Sequence, residues 1–120
     1  MAVRAIRGAI QIEGDSRDEI LEGSAELVTA VLKRNDLTSD DIISILFTAT
    51  PDLTAEFPAY AARLLGLTDV PLMCAVEIAV PEAMPRVLRL MAHVETDLAR
   101  ADLRHVYLRG AAALRRDLPS

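Results

Sequence analysis

Two charges stand inside apolar, strand-like sequence between Pro71 and Val94, PLMCAVEIAVPEAMPRVLRLMAHV, with Glu77 in the first segment and Arg89 in the second. An ionised side chain buried without a partner costs several kcal/mol, so a fold that keeps both is expected to use them on something polar. A small anionic metabolite fits that requirement. Arg7, Cys74 and Tyr107 stand in similar company, which gives one carboxylate, one thiol, one phenol and two guanidinium groups among aliphatic neighbours. Arginine's planar fork binds carboxylates bidentately, so the set suits a dianion that also carries a hydroxyl. Cys74 and Glu77 lie an odd number of residues apart, and in a regular strand they face opposite ways unless a bulge or strand end intervenes. The plainer alternative for Glu77 is an ion pair with an arginine of the same chain, since buried carboxylates are normally paired.

Other chemistries find less support. His93 and His105 have no Cys or second His at ligand spacing, so no metal site is expected, and a lone strand histidine is usually a packing residue. The sequence holds no glycine-rich phosphate loop, and a Cys-His nucleophile pair would need a tertiary contact that spacing does not supply. No cofactor is expected.

The elements that must position these residues follow from periodicity. Ala2 to Glu13 alternates loosely and is expected as a strand broken by Gly8, with Arg4 and Arg7 leaving opposite faces and Arg4 a solvated edge charge. Ser16 and Glu19 form a capping-box pattern, followed by Ile20, Leu21, Ser24, Leu27, Val28, Val31 and Leu32 at helical spacing to about Asn35. Ile42 to Ala49, IISILFTA, lacks polar alternation and is expected as a central strand buried on both faces. Phe57-Pro58 opens a short helix that Gly66 stops, with Arg63 on it free to reach water. Phe57 itself suits core or interface packing. Val70 to Ala79, Val87 to Val94 and Leu103 to Leu114 complete the strands, the last presenting His105, Tyr107 and Arg109 on one face. Strand, helix, strand, helix and three strands make an α+β mixed sheet with helices on one side. Two helices leave the other face open, and oligomerisation would cover it.

Composition sets the outer bounds. The 120 residues form one domain, 1–120, with 52% hydrophobic and only 3% aromatic content, so the core is aliphatic. A net charge of −5 and the lack of a basic stripe argue against nucleic acid. The single cysteine, Cys74, cannot form an intrachain disulfide, and no uncharged run approaches the ~20 residues of a membrane span. With no signal-peptide pattern at the N-terminus, a cytoplasmic location is expected.

The segments VRAIRGA, TATPDLTAEFPAYAAR, VPLMCAVE and RHVYLRGAAALRRDL, in order from Arg4 to Leu118, resemble the monofunctional AroH-class chorismate mutases of bacilli and related bacteria. The resemblance implies a homotrimeric pseudo-α/β barrel with active sites at subunit interfaces and conversion of chorismate to prephenate without a cofactor. It implies that Arg7, Arg89 and Tyr107 contact substrate carboxylate or ether oxygen and that Glu77 and Cys74 meet the ring hydroxyl. Phe57 and Ala59 would line the neighbouring subunit's side, with Met73 and Leu114 also lining the pocket. Arg63 and Arg115 would supply positive potential at its mouth. Tyr60 departs from a basic residue of the family, and Met73 from a smaller polar one. Two other readings remain at this point: a trimeric imine or enamine deaminase of the RidA type, and a catalytically silent trimeric sensor of a dianionic metabolite.

Overall fold

The computed structural model describes residues 1–114. Among them, the strands β1 (Ala2–Gln11), β2 (Ile42–Ala49), β3 (Leu72–Val76), β4 (Val87–Thr96) and β5 (Val106–Leu108) form one mixed sheet in the order β3-β2-β4-β1-β5. Helices α1 (Arg17–Arg34) and α2 (Pro58–Leu64) complete the α+β architecture. The centre is antiparallel, with β4 between β1 and β2, and the flanks are parallel, β3 on β2 and β5 on β1.

Strand periodicity divides the sheet into two unlike faces. Ile6, Ile10, Ile45, Phe47, Leu88, Leu90, Ala92, Val94 and Val106 point to the helices and form the core with Ile20, Leu27, Val28 and Val31 of α1 and Ala62 of α2. The helix side of α1 is apolar at helical spacing, as the sequence requires, and Ser16 caps it by accepting the Glu19 N–H at 3.1 Å. The reciprocal half of the capping box is not made: Glu19 Oε2 is buried without a partner among the described residues. Gly23 lets α1 approach β1, because a Cβ there would sit 2.5 Å from Ile12 Cγ2. Gly66 ends the α2 segment at φ +98°.

Three expectations change. The IISILFTA strand is interior to the sheet but covered on one face only, and Leu46 on its open side is 39% exposed. The fifth strand is short: it ends at Leu108, where Arg109 takes φ +54° and opens a 3-10 turn over Arg109–Ala113. Arg109 therefore does not continue the His105–Tyr107 face, and its guanidinium instead pairs with Glu26 of α1 at 2.8 Å. Arg4 is half-buried, not a solvated edge charge, and donates to the Leu98 carbonyl at 3.3 Å.

Candidate active site

The open face of the sheet gathers the charged residues. Register places Arg7 opposite Met91, Ala9 opposite both Arg89 and Tyr107, and Thr48 opposite Arg89. Because these positions share parity, Arg7, Arg89 and Tyr107 leave the same side and line one cavity of about 230 Å³ with Thr48, Leu46 and Met91. Tyr107 is 8% exposed and packs with Ala9, Val87 and Ala111, with Leu114 against that cluster.

Glu77 reaches this group from just beyond β3, where its N–H donates to the Ala49 carbonyl at 2.9 Å. Its carboxylate accepts from Arg89 Nε at 3.0 and 3.2 Å and from Thr48 Oγ1 at 2.6 Å. The same-chain ion pair that sequence left open is thus formed, and it lies at the cavity. With the Arg89 side chain 40% exposed, water screens the pair, so its worth lies in fixing two charges more than in stability.

A second cavity, of about 590 Å³, is lined by Arg17, Glu56, Phe57, Ala59, Tyr60, Arg63, Leu72, Met73 and Cys74. Pro58 at the first position of α2 turns the chain so that Phe57, 70% exposed, stands at its edge and not in the core. Arg17 is held over the cavity by Glu56 at 3.0 Å and by the Tyr60 ring, 5.6 Å from its centroid. Asp15 fixes the preceding loop by accepting from Thr54 N–H and hydroxyl and from Ala55 N–H, at 2.9, 2.8 and 3.0 Å. Those bonds, Thr54's first, hold its carboxyl below the ordinary range. Burial pushes the Cys74 thiol up, against the pull of the Ala59 backbone and the Arg63 guanidinium. Cys74 is therefore a thiol at neutral pH and a hydrogen-bond donor.

The expected site residues fall into two groups on one chain. Arg7, Arg89, Tyr107 and Glu77 meet at the first cavity with Leu114 behind Tyr107, whereas Phe57, Ala59, Arg63, Met73 and Cys74 line the second. Cys74 pairs with Phe47 on the helix side of the sheet, so within one chain it does not meet Glu77. Arg115 lies outside the described residues. Sequence reasoning missed Thr48 and Arg17. Thr48 stands in an apolar run and acts only through cross-strand pairing, and Arg17 follows a helix cap, where a charge is ordinary. Among the described residues no group of His, Cys, Asp and Glu could hold a metal ion, and no helix is long and apolar enough to cross a membrane.

Residues 3–118 match the family model of chorismate mutase type I. The chain is 45% identical over 119 residues to chorismate mutase AroH of Thermus thermophilus, covering 98% of each. It is 40% identical over 119 residues to chorismate mutase AroH of Bacillus subtilis, covering 98% of this chain and 94% of that protein. A solved chorismate mutase from Clostridium thermocellum superposes with a TM-score of 0.91 at 46% identity, over 92% of this chain and 98% of that one. These findings give no support to an imine deaminase or a silent sensor. The chain belongs to the type I chorismate mutase family.

Proposed function

We propose that the protein is an isomerase that converts chorismate to prephenate, a step of aromatic amino-acid synthesis, in sites completed between copies of the chain in a homotrimer. The observation that carries this is the arrangement at Arg89, whose Nε is committed to Glu77 while Arg7 and Tyr107 line the same cavity. The two Nη groups of Arg89 are then the donors a ligand meets.

The reaction makes and breaks carbon bonds in one pericyclic step, so no nucleophile and no proton shuttle is needed. Catalysis requires that the folded, diaxial conformer be held, which is a matter of proximity and orientation. Arg7 and Tyr107 clamp the substrate's carboxylates and Arg89 faces the breaking ether oxygen, where negative charge grows. A preorganised donor of that kind contributes about 3 to 4 kcal/mol to the transition state. Glu77, fixed by Thr48 and Arg89, offers the counter-charge to the ring and accepts its hydroxyl hydrogen bond.

The separation of the two cavities supports a shared site. Phe57, Ala59, Arg63, Met73 and Cys74 of one copy would close over Arg7, Glu77, Arg89 and Tyr107 of the next, with Leu46 and Met73 giving apolar surface to the seam. The enzyme would work in the cytoplasm on chorismate, without a cofactor. Loss of chorismate absorbance with formation of prephenate tests the activity, and no turnover by pure protein would overturn it. A solution mass three times the 13.1 kDa of the chain tests the assembly.

A further inference from the structure

We propose that His105 is a positioning residue for Arg7 and Tyr107, acting through the backbone of β1. The proposal rests on the chorismate mutase reading for its kinetic consequence, though not for its geometry. The Arg7 N–H donates to His105 Nδ1 at 3.0 Å. A backbone N–H can only donate, so Nδ1 must be the unprotonated, accepting nitrogen of the ring. The bond sits one step before the parallel β1–β5 ladder begins at Gly8 and Val106, which in turn sets Tyr107 beside Ala9. His105 thus fixes the position from which Arg7 projects and starts the register that presents Tyr107.

His105 is itself held from behind. Asn35, 2% exposed at the C-terminal cap of α1, accepts the Arg104 N–H at 2.7 Å and donates to the Arg104 carbonyl at 2.9 Å. Its amide also donates to the Val31 carbonyl at 2.9 Å. A line of bonds therefore runs from the end of α1 through Arg104 and His105 to Arg7. A displacement there is felt at the cavity, where a 1 Å error in a binding group can cost on the order of a hundredfold.

Protonation of His105 turns its Nδ1 into a donor facing another donor and breaks the line. Among the described residues, the charged or titratable side chains that share its cleft include Arg4 of β1, His93 of β4 and Arg100 of the segment before β5. The predicted behaviour is a site intact while His105 is neutral and loosened once its imidazole is protonated.

Asparagine carries an acceptor at the same branch of the side chain, without titrating. In pH profiles of kcat/KM, wild-type protein should lose activity on the acid side. His105→Asn should keep most of the neutral-pH activity and lack that acid limb, and His105→Ala should be lower by about tenfold or more at neutral pH. The Arg7 amide resonance should titrate in wild-type protein and stay fixed in His105→Asn, a measurement independent of turnover. A wild-type protein without mutase activity would remove the functional reading while the amide titration still decides the bond. An Arg7 amide that does not titrate, an unchanged acid limb in His105→Asn, or a folded His105→Ala within twofold of wild type would each overturn the proposal. Should His105→Ala fail to fold, the asparagine profile alone decides.

Discussion

Arg89 and Glu77 face each other at 3.0 and 3.2 Å from neighbouring parts of the sheet, although Thr48 of β2 lies between their strands. Thr48 does not separate them but joins in, through its 2.6 Å bond to the same carboxylate. Thr48 of β2 and Glu77 from just beyond β3 therefore set the Arg89 guanidinium of β4 in one orientation, the kind of fixed dipole that costs no reorganisation during a reaction.

Removing the charge of Glu77 tests its role apart from shape. Glu77→Gln keeps an acceptor but loses the counter-charge to the ring, and kcat should fall by about tenfold or more. Thr48→Val, which removes only the supporting hydroxyl, should cost less. Steady-state kinetics with chorismate on both variants gives the order.

A site shared between copies has a consequence for mixtures. Arg7→Ala alters one cavity and Arg63→Ala the other, so each variant alone carries a defect in every site. Co-refolded together, they form some sites with both halves intact, and activity should rise well above the sum of the separate proteins. A mixture no more active than that sum would mean that each site is built within a single chain.

Ser24 is 1% exposed on the buried side of α1, and its hydroxyl has no partner among the described residues. An unsatisfied buried hydroxyl is costly and alanine is the better helix former. Ser24→Ala should raise stability by about 1 kcal/mol, read as a higher denaturant midpoint with an unchanged slope. A lower midpoint would show that the hydroxyl is bonded in solution.

Asp15 gives a pH dependence with a defined sign. Its folded carboxyl lies below the ordinary 3.8 because Thr54 and Ala55 donate to the ionised form. Its contribution is present in full above that ordinary value and is lost as pH falls through the lower folded one. The stability gap between wild type and Asp15→Asn should therefore be constant from pH 7 to about 5 and close below about pH 4. Denaturation curves across that range check it.

Much of this architecture was legible in the residues. Ser16 and the spacing from Ile20 to Leu32 carry α1, Pro58 and Gly66 bracket α2, and the alternation from Val87 to Val94 carries β4. The odd spacing of Cys74 and Glu77 already implied opposite faces. What could not be seen depended on distant partners. The fifth strand stops where Arg109 takes a positive φ and pairs with Glu26, far off in sequence, and the roles of Thr48 and His105 exist only once strands are paired. The apolar run of β2 promised two buried faces, and one chain covers only one. An apolar face left open by its own chain is the kind of surface that association would cover.

Whether a guanidinium neutralises the oxygen whose bond is breaking is measured most directly by Arg89→Ala in the chorismate assay. With oligomeric mass and fold unchanged, kcat should fall by about several hundredfold, and Arg89→Lys should recover little, since one ammonium cannot supply two directed donors. Turnover by Arg89→Ala near that of the wild-type protein would contradict that role.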